Sequence, residues 1–284
     1  MPLTATSLYV PLPTGTPNTP EHRVYISHNR HTLSTLHDIP LLSDNAPEPI
    51  LNMVVEAPRW SNAQMGIASQ EPFTPIRQAM QGRSKRLAYV RNCFPHRGFI
   101  WNYGSLPQTW SEGAPLHVCE IGEKVAHVGE VCSVRILGLL APHDEGVLRY
   151  TLLAINTQDP LATVCLHTLT DLERECPGLM TATKEWFRLY KLPDGKPENT
   201  FDLNGQFKDT LFAEEIIRTA HAAWHDLVVT NSPNPLEVDL SNVTIQNSPG
   251  FVRSSALDTY DSQDVDPAPI PPGVSKSWHI AYNF

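Results

Sequence analysis

Histidine and cysteine are among the residues that could do chemistry in this sequence, and their spacing shows what each pair could do. His117 and Cys119 lie two apart, so in a strand they share one face, and a thiol beside an imidazole is a candidate nucleophile. In an apolar strand the same alternation makes Cys119 a packed thiol, and that is the reading taken here. His221 and His225, four apart in a helical stretch, have a spacing that can grip zinc. His28 and His31 sit together in a turn. Neither pair has an evident third ligand, so both read as exposed polar groups. The five cysteines, Cys93, Cys119, Cys132, Cys165 and Cys176, form no CxxC pair and are odd in number, which points to reduced thiols rather than a disulfide framework.

The elements that must position such groups are mostly strands. Runs at 23–27, 52–57, 87–91, 117–121, 131–140 and 148–156 end in Gly, Pro or Asp turns. Run 131–140 is apolar on nearly both faces, as in a strand closing a barrel. Helices come late: 181–189, and 208–228, where Phe212, Ile216, Ala220, Ala223 and Leu227 make one apolar stripe. This order predicts a mainly β protein, an OB-like five-stranded β-barrel with flanking helices. Twenty-six prolines cluster toward the two ends. Residues 1–22 therefore read as an extended N-terminal arm, 23–230 as the barrel domain and 231–284 as a Pro-rich extended tail. Trp278 and Phe284 are large apolar groups expected to dock that tail on the body or on a partner subunit.

A net charge of −9 disfavours nucleic acid and anionic membrane, both of which need a basic face. No run approaches the roughly 18 apolar residues of a membrane helix. No basic-then-apolar leader opens the chain, so a cytoplasmic protein is expected.

Three longer motifs carry a resemblance. They are Val55-Glu56-Ala57-Pro58-Arg59-Trp60, then Gly98-Phe99-Ile100-Trp101-Asn102-Tyr103-Gly104-Ser105-Leu106-Pro107-Gln108-Thr109-Trp110, and Glu185-Trp186-Phe187-Arg188-Leu189-Tyr190-Lys191-Leu192-Pro193-Asp194-Gly195-Lys196-Pro197-Glu198-Asn199. Over roughly residues 20 to 230 the chain resembles the soluble (family I) inorganic pyrophosphatases of the fungal type. The resemblance implies the same barrel fold, a dimer, and a chemistry in which several Mg²⁺ ions held by carboxylates neutralise pyrophosphate before a water attacks.

Against that pattern several positions differ. The family's Asp-x-Asp-Pro-x-Asp signature falls on Glu112, Gly113, Ala114, Pro115, Leu116 and His117. Gln64 stands for a Lys, Gly66 for a Glu, Ala88 for an Arg, Arg149 for an Asp and Thr151 for a Lys. Glu56, Tyr103, Asp144, Tyr190 and Lys191 match. A guanidinium in place of a metal-binding carboxylate turns attraction into repulsion, on the order of 4 kcal/mol per unit-charge pair at about 4 Å. The sequence therefore predicts that the Mg²⁺ cluster is lost and that no cofactor is used, with Glu112 and Asp144 the only residual metal candidates. It predicts a metal-independent acid/base enzyme acting on a small organic metabolite, a fungal secondary-metabolite cyclisation, isomerisation, elimination or hydrolysis. Tyr103, Tyr190 and Lys191 would stabilise developing charge, and Glu56, Asp144 or His117 would move the proton. Arg149, Gln64, Ala88, Thr151 and Ala114 would line the substrate pocket. A non-catalytic pseudoenzyme binding a protein partner and a weak Mg²⁺-dependent diphosphatase are the alternatives. Arg59, Trp60 and Trp278 are the candidate homodimer interface.

Overall fold

The computed structural model describes residues 9–43, 49–82, 85–164, 166–230, 233–253 and 265–280; Cys165 and Phe284 lie outside them. Five strands close a barrel: β1 (Leu51–Ala57), β2 (Asn102–Ser105), β3 (His117–Glu120), β4 (Val131–Leu140) and β5 (Thr151–Asn156), in the order β2-β3-β5-β4-β1. Every pairing is antiparallel except β3 with β5, which is parallel. The mainly β, five-stranded barrel expected from the strand pattern is the fold observed. Strand β4 has the bounds its apolar run predicts.

Two-residue alternation explains what each strand contributes. In β1, Leu51, Met53 and Val55 join the barrel's main core with Val118, Val134, Leu139 and Leu152. Val54 faces the other way, into a second core beneath a small sheet of Val10–Thr14, Arg23–His28, Ile76–Gln78 and Met65–Ile67. Val10–Thr14, within the segment read as a loose arm, pairs along its whole length with 23–27. Run 87–91 is not a continuous strand: Arg86–Leu87 pairs with Met80–Gln81, and Tyr89 makes a single bridge to Ala63.

Strand β2 carries no apolar run, and it was not anticipated. It exists because Gly104 allows a close approach: a Cβ there would lie 2.0 Å from the Val54 carbonyl oxygen. The register shifts between Tyr103 and Gly104, a bulge of the kind that re-aims a side chain beside a site.

Among the described residues four α-helices flank the barrel: α1 (Pro160–Val164), α2 (Leu169–Glu175), α3 (Leu179–Leu189) and α4 (Thr210–Val229). The first two were not anticipated. A capping box fixes α2, in which Thr168 accepts from the Asp171 backbone N–H and the Asp171 carboxylate answers. Helix α4 starts at Asp209, whose side chain accepts from Phe212 N. Its buried stripe is Ala213, Ile217, Ala220, Trp224 and Leu227, rotated from the expected one; Ala223 is exposed. Trp224 sets that rotation, because its Nε1 donates to His37 Nδ1 at 2.9 Å inside the protein.

The tail is tied to the body where it is described. His37 Nε2 donates to the Asp239 carbonyl, Asp38 accepts from Val243 N and Thr244 N, and Ser277–Trp278 adds a parallel strand to Asn92–Cys93. Among the described residues no helix is long and apolar enough to cross a membrane.

Gly104→Ala should lower the urea-unfolding free energy by roughly 1–3 kcal/mol, the usual cost of forcing atoms into a filled site. An unchanged midpoint would show that β1 and β2 can part without loss.

Candidate functional site

The site lies on the outer wall of the barrel, where β1, β2 and β3 meet α3. Glu56 follows Val54 on the outward face of β1 and is buried, 2% exposed. Ser105 Oγ donates to Glu56 Oε1 at 2.7 Å. Loss of hydration pushes the Glu56 carboxyl up to about 7, opposed by that hydrogen bond. His117 stacks on Tyr103, ring centroids 5.3 Å apart. Burial, helped by the Arg149 charge and opposed by Asp144, lowers His117 to about 4. His117 is thus neutral at physiological pH, and its buried Nδ1 has no hydrogen-bond partner among the described residues.

Aromatic rings run on from this pair. Phe99 stacks on Tyr103 at 5.3 Å and tilts against Trp186 at 5.4 Å, and Trp186 stacks on Tyr190 at 4.7 Å. Such contacts are worth about 0.5–1.5 kcal/mol each beyond area burial, and they hold both tyrosines in place. Burial raises both phenols well above their ordinary range, so they are hydrogen-bond donors, not bases.

Asp144 comes from a separate hairpin, His143–Asp144 with Val147–Leu148. Glu145 and Gly146 have φ of 49° and 84°, the pair of positive angles that a tight two-residue hairpin needs. Tyr190 donates to Asp144 Oδ1 at 3.0 Å, and Lys191 forms an ion pair with the same oxygen. Lys191 also lies 3.2 Å from Glu145 Oε1, with Lys196 at 3.7 Å. Asn199 donates to the Phe187 carbonyl, bracing the end of α3.

These groups enclose a chamber of about 220 Å³ lined by Glu56, Gln64, Tyr103, Ala114, His117, Asp144 and Tyr190, among others. A second chamber of about 180 Å³ shares Gln64 and Tyr190 and adds Ala88 and Lys191. Three of the expected residues line neither. Arg149 turns away and donates to the Glu112 carbonyl at 2.7 Å, Glu112 is exposed, and Thr151 is buried with its hydroxyl on the Arg149 carbonyl. Of the two residual metal candidates, Asp144 lines the chamber and Glu112 does not. Phe99 and Trp186 line the chamber but were read only as motif residues; their aromatic character was the available signal. Cys119 is fully buried and its thiol is held well above its usual range, so it is no nucleophile. His221 Nδ1 donates to the Gln108 carbonyl at 2.7 Å, and His225 is exposed.

Comparison with known proteins gives a consistent result. The family profile for inorganic pyrophosphatase matches residues 53–225. An inorganic pyrophosphatase of Yarrowia lipolytica is 41% identical over 97% of this chain and 98% of its own length. The structure of inorganic pyrophosphatase from Schistosoma japonicum superposes with a TM-score of 0.88 at 33% identity, covering 96% of this chain and 100% of that one. A truncated vacuolar soluble pyrophosphatase of Trypanosoma cruzi in complex with PPi is 33% identical with a TM-score of 0.68, covering 77% and 90%.

These likenesses overturn two expectations. Relatives matching over nearly the full length carry the name inorganic pyrophosphatase, which contradicts a metal-independent enzyme acting on an organic metabolite. The expectation of no cofactor falls with it, because the chemistry implied by that family runs on Mg²⁺.

Glu56 makes a sign-definite contribution to stability. Its folded pKa of about 7 lies above the ordinary 4.5, so the folded state is favoured at low pH and loses stability as pH rises through 7, by on the order of 3 kcal/mol in all. His117, lowered to about 4, acts oppositely and loses its contribution as pH falls below its unfolded value. Glu56→Gln should therefore be relatively more stable at about pH 8 than at about pH 5, compared with the parent, in paired urea melts. Parallel curves would place the carboxyl in water.

Proposed function

Because this chain belongs to the inorganic pyrophosphatase family, we propose that it hydrolyses inorganic pyrophosphate to two phosphates, taking the anion as its magnesium complex. The support is the near-full-length likeness together with the charge of the chamber. Among the described residues no three His, Cys, Asp or Glu side chains are grouped as metal ligands, and the carboxylates that line the chamber are Glu56 and Asp144. Asp144 is engaged by Lys191 and Tyr190, and Glu56 by Ser105. We read the replacements at Gly66, Ala114, His117 and Arg149 as the reason. A chamber with a neutral His117 and a half-protonated Glu56 suits a substrate whose charge its own cation has already cancelled in large part.

In this reading Lys191 and Lys196 attract the complex at the mouth, and the Tyr103 and Tyr190 hydroxyls donate to phosphate oxygens. Glu56 accepts a proton from water as oxygen attacks one phosphorus, and the P–O–P bridge breaks to release the second phosphate. A base with a pKa near 7 is well matched to that role at neutral pH. Arg59, Trp60 and Trp278 are proposed as a homodimer face. Trp60 is 54% exposed and Trp278 36%, and Phe94, at 62%, pairs with Trp278 through its backbone N–H.

The test is phosphate release from pyrophosphate with and without MgCl₂. Release should require magnesium, follow the concentration of the complex, and rise with pH through about 7 as Glu56 ionises. Glu56→Gln should cut kcat by roughly 10²–10⁴. No release above the buffer blank would overturn the proposal. Trp60→Glu should convert a dimer to monomer in sedimentation equilibrium; an unchanged mass would remove the interface.

A further inference from the structure

A further cavity among the described residues belongs to no part of this site. It holds about 630 Å³, within the roughly 300–1,000 Å³ of ligand pockets, and shares no lining residue with either chamber. Its floor is apolar: Leu41 and Leu51 near the start of β1, Ile136 from β4 and Ile217 from α4 are all buried. Leu42, at the mouth, is 58% exposed, a hydrophobic surface without cover in the described structure.

The polar groups around this cavity are mainly basic. Arg135, Arg218, His167 and His221 line it against one acid, Glu214, in a chain whose net charge is −9. Arg135 is anchored, its Nη1 donating to the Ala162 carbonyl at 3.2 Å and to that of Leu166 at 3.5 Å. Arg218 is exposed by contrast. Its side chain is 78% exposed, and its Nη2 is 3.8 Å from Glu215 Oε1, an exposed pair that holds little. An apolar floor with one anchored and one exposed guanidinium at its edge is complementary to an aliphatic body ending in a single carboxylate, which Arg binds in a bidentate fork.

We propose that this cavity is a binding site for a free medium-chain aliphatic carboxylate. Its tail lies against Leu41, Leu42, Ile136 and Ile217, and its head group lies on Arg135 and Arg218. Each methylene that enters the floor should tighten binding roughly threefold to fourfold until the cavity is full.

Calorimetric titration of the full chain with hexanoate, octanoate and decanoate, below their micelle concentrations, tests this. Decylammonium serves as the opposite-charge control. Saturable binding should strengthen with chain length, and decylammonium should bind at least about tenfold more weakly, since its head would face two guanidiniums. Arg218→Glu and Leu42→Asp change exposed side chains and should each weaken decanoate about tenfold or more while phosphate release stays unchanged. Absence of saturable decanoate binding, equal binding of decylammonium, or no effect of either variant would overturn the proposal. The outcome is independent of the hydrolase reading: a chain that binds decanoate and releases no phosphate keeps this site.

Discussion

An acid buried with one hydroxyl as its hydrogen-bond partner among the described residues governs the character of this site. Removing Glu56 from water penalises its charged form, and the Ser105 hydrogen bond returns only part of that penalty. The same enclosure strips His117 of its proton. Two ionisable groups side by side are thus both held near neutrality by one cause. The charge that remains is at the rim, where Asp144, Glu145, Lys191 and Lys196 largely balance one another.

That arrangement depends on precise backbone placement rather than on the polar residues themselves. Gly104 lets β2 press against β1, and the bulge beside it sets Tyr103 over His117. The aromatic run from Tyr103 through Phe99 and Trp186 to Tyr190 then ties the barrel wall to α3. Tyr190 in turn reaches the hairpin that carries Asp144. Side chains from five separate elements converge because rigid rings, not flexible chains, span the distances between them.

Sequence reasoning could see some of this and not the rest. Strand β4 was legible because ten consecutive residues are apolar on nearly both faces. Strand β2 was not, since Asn102-Tyr103-Gly104-Ser105 has no apolar period and only a neighbouring carbonyl explains its glycine. The α4 stripe was displaced because Trp224 and Ala223 are equally plausible inward residues until His37 is known to stand opposite. Glu56, Tyr103, His117, Asp144 and Tyr190, read from motif resemblance, line one chamber. Arg149, Thr151 and Glu112 line neither chamber, because a motif gives positions along a chain and not the direction of each side chain. The inferred loss of family chemistry weighed individual replacements and gave too little weight to the similarity of the whole chain, which the relatives supply.

The short parallel strand Ser277–Trp278 has a bearing on how the protein is made. It pairs with Asn92–Cys93, and Arg91 beside it bonds both the Gly273 carbonyl and Asp194, just beyond Lys191. The barrel strands all precede residue 157 and are free to assemble while the ribosome is still translating. The brace on the loop bearing Lys191 must wait for residues 273–278, more than a hundred residues later, so a nascent chain has its scaffold well before its working surface is complete.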